Sequence, residues 1–425
     1  MRIDEVKIPL YDVRIGTIGL IVCLCVFIYA IREQVTKDIE QRIDTLLLFA
    51  LLLRIIWMIV VVFLEEKMQF FVYDDETYYH VAMGSVAIAD GDNFYNYILR
   101  FIYDVFGKTS LNGRLTNMFA SIATIYPLAY LEKSLNEETK FGATTFFAVS
   151  PFQVFISFFE IKDIILMFAF VSSYAVLNSI RKRGRISVAL IIQIAILCAI
   201  SEGIRSGMGI IPIAILLFDR VRRGIGANRI QRIVSGIVLI GAFALIVWIY
   251  FQDYILSQSV RVEKYQKWIF TQFGSTSFYN KFVVTGIQDV WKLPFCFVLY
   301  ALQPLNALDG SSRFFGEWGM FAKIIDVPIL VMAIRWLYVY VKKEKIYSLI
   351  FILPYIFVSG VNLTNARQGF FLYPIMYLMC FYGFSRMDGY NGKSSIIRII
   401  NSSGFTYLLV GTIYVLWLFV IIMRA

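Results

Sequence analysis

The chain has 425 residues, of which 59% are hydrophobic, 17% aromatic and only 16% charged. A soluble domain carries about 25% charged residues, so this balance excludes a soluble globular protein and reads as an all-α polytopic membrane protein. The net charge of +10 would fit a nucleic-acid binder if the chain were soluble. Here Lys and Arg gather in short loops between apolar runs, which makes them orientation signals facing membrane lipids, with no nucleic acid implied.

A membrane-crossing helix needs about 20 apolar residues. On that basis the sequence predicts about twelve spans, near 14–31, 46–64, 114–131, 141–159, 161–180, 186–201, 206–219, 233–252, 324–341, 346–361, 367–385 and 404–423. Residues 286–304, broken by Pro294 and Pro304, read as a re-entrant or interfacial segment, with a true span as the alternative. The N-terminus, with Asp4, Glu5 and Pro9 ahead of the first apolar run, does not read as a cleavable signal peptide. The five cysteines lie mostly in apolar runs without metal-ligand spacing, so no disulfide framework is expected.

Basic clusters at 181–185, 220–232, 342–345 and 386–398 fall on one side of this arrangement, which the positive-inside rule makes cytoplasmic. The segments left outside are 65–113, the turns at 160 and 202–206, the long 253–323 segment and the turn at 361–367. The chain therefore reads as one integral membrane domain, 1–425, with external elaborations at 65–113 and 253–323. No internal repeat marks it as a transporter.

Taken in order, the external segments hold the residues that could do chemistry. Asp74, Asp75 and Glu76 follow the second span directly, where carboxylates are costly unless solvated or used. Three readings stand: acids complementing a helix dipole, a general base with an upward-tuned pKa, or a divalent-cation site, the last not favoured. Tyr79 and His80 come next; His80, the single histidine, is a substrate contact or proton relay, with a bystander as the plainer reading. The apolar spacing predicts two interfacial amphipathic helices, at 78–87 and 94–103, rich in tyrosine.

Glu160, Lys162 and Asp163 sit at the outer end of two spans. Lys162 is either a snorkelling partner of Glu160 or Asp163, with Asp163 capping the next helix, or a point charge for phosphate. Arg205, in the turn 201–207, and Arg367, entering a late span, can fork onto phosphate oxygens or anchor to headgroups. Arg54 lies inside the second span, which is unusual; pairing with another span or inward snorkelling accounts for it.

The run Asp75-Glu76-Thr77-Tyr78-Tyr79-His80 resembles the first-external-loop signature of the GT-C glycosyltransferases. The similar branch is that of protein O-mannosyltransferases and lipid A aminoarabinose transferases. Arg114 to Asn117 at a span entry, Ser150-Pro151 within a span, Lys162-Asp163, and Arg367 to Pro374 follow a similar order. The resemblance covers residues 46–185 well and the later region weakly. It implies transfer of a sugar from a polyprenyl-phosphate-linked donor to a glycan, lipid or protein acceptor at the outer face of a cell membrane. Asp75 would be the base, Glu76 or Asp74 would assist, and Lys162, Arg205 and Arg367 would hold the lipid-linked phosphate. No cofactor is expected. The chain departs from the pattern in having a span at 14–31 before the family's first. The absence of a large soluble C-terminal domain argues against an oligosaccharyltransferase of the large type. A repeat-unit polymerase of O-antigen or capsule is the related alternative, and a lipid-linked saccharide transporter or flippase the alternative of a different class.

Overall fold

A computed structural model describes residues 13–35, 42–68, 73–84, 94–135, 141–183, 187–205, 208–213, 325–330, 332–333 and 370–385, with a few isolated later positions. Every element longer than a turn among them is helical. They are α1 (Ile15–Val35), α2 (Arg42–Met68), α3 (Tyr73–Ala82), α4 (Phe94–Phe106), α5 (Ser110–Ala123), α6 (Ile125–Leu135), α7 (Gly142–Val149), α8 (Pro151–Ile156), α9 (Lys162–Arg183), α10 (Val188–Ile204) and α11 (Tyr373–Ser385).

Three of these contain stretches long and apolar enough to cross a membrane: Ile15–Gln34, Ile43–Phe63 and Lys162–Lys182. They coincide with three of the expected spans, and the shorter apolar helices Val188–Ile204 and Phe370–Tyr382 overlap two more. The expected spans at 233–252, 346–361 and 404–423 lie wholly or almost wholly outside the described residues, as does most of 206–219, 324–341 and the 253–323 elaboration.

Two expected spans are not single helices, and proline is the reason in both. The helix over 114–131 starts earlier, at Ser110, and is interrupted at Thr124. Pro127 has no N–H for the carbonyl four residues back, so the ladder loses a rung there. The stretch 141–159 is α7, a break at Ser150, the short α8, and an irregular turn from 157 to 161. Ser150 has an extended ψ of 124°, and its hydroxyl accepts from the Gln153 backbone N–H, with Pro151 opening α8.

Breaking a helix at membrane depth strands carbonyls that water cannot reach, and side chains from neighbouring helices meet them. The Arg54 guanidinium of α2 donates to the Ala148 carbonyl at 3.0 Å, at the electronegative end of α7, and to Ser121 Oγ of α5. Trp57 Nε1 donates to the Phe155 carbonyl at 3.0 Å. Asn117 Nδ2 of α5 donates to the carbonyls of Phe159 and Ile161 at 2.6 and 3.1 Å. Arg54 thus pairs with other spans, one of its two expected accounts. The broken segment stays fixed because side chains from two helices, α2 and α5, satisfy it.

The central helix is α9, which packs against α5, α6 and α10. Phe170, Val171 and Tyr174 lie in its core-facing surface. The aromatic run before α11 closes over it, with Phe371 edge-on to Phe170 at 5.5 Å. In contrast, α1 and α2 expose Ile18, Val22, Val26, Leu48, Leu52 and Ile56, a surface suited to lipid tails. Cys23 and Cys25 share that exposed surface, whereas Cys198 and Cys380 are buried.

The helix ends sort the loops. Arg32 of α1 pairs with Asp44 of α2, and the Lys182 ammonium lies over the Tyr130 ring, so these belong to one end of the bundle. At that end Glu132 accepts from the Ala143 and Thr144 backbone N–H groups and caps α7. The start of α1, α3, α4, the start of α5, the turn 157–161, the start of α9 and the end of α10 lie at the opposite end. The described parts of 65–113 and of the turns at 160 and 202–206, all expected outside the membrane, therefore share one end of the bundle.

Candidate functional site

Helix α3 carries the acidic run. It starts at Tyr73, so Asp74, Asp75 and Glu76 occupy its first turn, where carboxylates complement the dipole. Their side chains lie outside the described residues. The helix ends at Ala82, earlier than the 78–87 pattern predicted. Gly84 takes φ +74° there, a left-handed turn that suits glycine, with its N–H donating to the Val81 carbonyl.

The last two turns of α3 sit on α4 through aromatic rings. Tyr78 meets Tyr95 edge-on at 5.1 Å between centroids, and Tyr79 meets Tyr103 at 5.7 Å. His80 packs beside Tyr79 at 5.6 Å. All five rings are buried. Helix α4 is amphipathic, as the sequence predicted, and runs on to Phe106. Tyr95, Leu99, Ile102 and Tyr103 face inward while Tyr97, Phe101 and Val105 face outward.

The hydroxyls of Tyr95 and Tyr103 continue into the bundle. Tyr103 donates to Glu160 Oε1 at 2.5 Å, and Ser110 Oγ donates to the same oxygen at 3.0 Å. The Tyr95 hydroxyl accepts from Asn117 Nδ2 at 3.0 Å, the same amide that holds the carbonyls on either side of Glu160. Glu160 is fully enclosed. Its recess exists because residue 113 is glycine: a Cβ there would lie 2.5 Å from Glu160 Oε1 and 2.8 Å from the Tyr103 hydroxyl. The charge of Glu160, after burial itself, pushes the Tyr79 hydroxyl pKa above its ordinary value, with Arg14 acting the other way.

Three residues after Glu160, Asp163 accepts from Arg205 at 2.7 Å, joining the start of α9 to the end of α10. The Arg205 guanidinium lies 5.3 Å from the Phe371 ring centre. Asp163 therefore pairs with Arg205, a partner that its neighbours in sequence do not reveal. Lys162 is the half-buried first residue of α9. Arg367 lies outside the described residues.

The structure thus brings Tyr79, His80, Asp163 and Arg205 to the same end as the acidic helix. It adds Tyr95, Tyr103 and Ser110, which carried no site role in the sequence, and bonds them to Asn117 and Glu160, which the sequence marked only within a span-entry motif and as a candidate partner of Lys162. One signal existed: Tyr95 and Tyr103 are eight residues apart, on one face of a helix. A second buried polar group ties the break at Ser150 to the late part of the chain. Asp326 accepts from Ser150 Oγ and from the Tyr377 hydroxyl, each at 2.8 Å, and Gln153 Nε2 donates to Tyr377 at 3.3 Å.

No family model matches the chain, and no curated protein matches it. Among solved structures it is similar to the archaeal oligosaccharyltransferase AglB from Archaeoglobus fulgidus, in complex with an inhibitory peptide and a dolichol-phosphate. The identity is 12%, the TM-score 0.42, and the match covers 87% of this chain and 55% of that one. The chain spans about half the length of that structure.

Proposed function

We propose that the chain is a membrane glycosyltransferase of GT-C type. It moves a sugar from a polyprenyl-phosphate-linked donor to an acceptor hydroxyl at the outer face of a cell membrane, in cell-surface glycan or polysaccharide synthesis. One observation carries the reading: the helix bearing Asp74, Asp75 and Glu76 packs at the same bundle end as Lys162 and the Asp163–Arg205 pair. That end combines a source of general base with fixed positive charge, the two requirements of the reaction.

In this mechanism Asp75 takes the proton of the acceptor hydroxyl as its oxygen bonds to the anomeric carbon. Glu76 or Asp74 supports it. The bond from that carbon to the phosphate oxygen breaks, and the electron pair leaves with the lipid phosphate. Lys162, Arg205 and Arg367 stabilise the developing negative charge. Arg205 can serve while bonded to Asp163, because a guanidinium has five N–H donors and the carboxylate also fixes its orientation.

The test is purification in detergent followed by mass spectrometry of co-purified lipid. A polyprenyl phosphate, with or without sugar, is the expected result, and incubation with acceptor should consume the sugar-loaded form. Recovery of only bulk phospholipid, together with no consumption of added polyprenyl-phosphate sugar, would reject the reading.

A further inference from the structure

We infer that Glu160 and Asn117 are positioning residues for the acidic helix, acting through the hydroxyls of Tyr103 and Tyr95. Helix α3 is seated on two α4 rings, and both rings are tethered at their far ends. The Tyr103 hydroxyl is bonded to Glu160 at 2.5 Å and the Tyr95 hydroxyl to Asn117 at 3.0 Å. Tyr79 rests on the first and Tyr78 on the second.

The two tethers form one unit. Asn117 donates to the carbonyls of Phe159 and Ile161, which flank Glu160, while Ser110 and Gly113 on the same face of α5 receive the carboxylate. A ring held only by packing can slide along its neighbour, since aromatic contacts tolerate a range of offsets. A hydrogen bond to a buried carboxylate does not allow that, because it is short, directional and worth more than a neutral one. These two bonds hold in place the rings on which α3 rests, and so the seat that carries its acidic first turn. As a device for aiming Asp75 this rests on the proposed function; as a statement about α3 it does not.

The experiment is hydrogen–deuterium exchange of the full chain in lipid nanodiscs, reading peptides over 73–84 against peptides over 162–183. Tyr103→Phe and Tyr95→Phe keep both rings and remove only the hydroxyls. Each is expected to speed exchange in α3 by about tenfold, leaving α9 unchanged, as loss of one buried charged or polar bond implies. Glu160→Gln retains an acceptor for Tyr103 and should fall between Tyr103→Phe and the native protein. If Tyr103→Phe does not fold, Glu160→Gln and Tyr95→Phe carry the test. Unchanged α3 exchange in the Phe variants overturns the inference, as does equal loosening of α3 and α9, which would make these bonds general scaffolding. Sugar transfer is measured on the same samples. Native protein that transfers nothing, with α3 still selectively loosened in the variants, sinks the proposed function and leaves the positioning role standing. If native protein transfers sugar, Tyr103→Phe should lower kcat with little change in donor KM.

Discussion

The two ends of the helix bundle each carry an Arg–Asp pair of nearly equal length, and the two pairs sit in different surroundings. Arg32 and Asp44 meet at 2.6 Å with side chains 37% and 39% exposed. Asp163 and Arg205 meet at 2.7 Å with side chains 1% and 14% exposed. The first pair joins consecutive helices and stays half in solvent, so water competes with it and its contribution is small. The second joins α9 to the end of α10 in a desolvated setting, where losing one partner leaves a costly buried charge. The difference extends to the surroundings. At the Arg32 end Glu132 caps one helix locally, while at the other end Glu160, Asn117, Tyr95 and Tyr103 bind α4, α5 and the turn 157–161 together away from water. Proteins keep costly buried polar groups in membranes mainly where something uses them.

Four substitutions would break or sharpen this comparison. Asp75→Asn should cost the most, removing a base worth about 10²–10⁴-fold in rate while membrane insertion and abundance hold. Transfer at native rates by that variant would remove Asp75 from the mechanism. Arg205→Ala should lower unfolding stability by about 3–5 kcal/mol, read from denaturation in detergent, because Asp163 stays buried without it. Lys162→Ala should raise the donor KM about tenfold, as loss of one charged contact implies, with the acceptor KM little changed. Equal effects on both substrates would argue against a phosphate role. Arg32→Ala should be the mildest, with a denaturation midpoint close to native. A loss matching that of Arg205→Ala would erase the distinction between the ends.

A smaller consequence concerns pH. An unfolded tyrosine ionises near pH 10, and burial beside Glu160 raises the Tyr79 value further. The neutral ring is therefore the folded form, and its contribution is complete below pH 10 and lost as pH rises through the folded value. Titration followed by tyrosinate absorbance should show one tyrosine that Tyr79→Phe removes from the late part of the curve. Its removal from the early part would contradict the packing described.

Much of the architecture was legible because it rests on local rules. Apolar length identified α1, α2 and α9, and the face pattern of 94–103 identified α4. The acidic run marked α3, though its boundaries depended on Gly84. The broken spans were visible as Pro127 and Pro151 but were read as continuous, because proline is tolerated in membrane helices whenever neighbours satisfy the freed carbonyls. Sequence cannot name those neighbours.

By itself the sequence determined that the chain is built for a membrane, through long apolar helices, and where acids sit beside one of them. Hydrocarbon imposes those features residue by residue, through length, charge and composition. The tertiary structure decided the partners. Tyr103 finds Glu160 across 57 residues, Asn117 finds Phe159 across 42, Trp57 finds Phe155 across 98 and Arg54 finds Ala148 across 94. Each is a polar group with no water to turn to, and such a group takes the partner that folding brings within reach, wherever that partner lies in the chain.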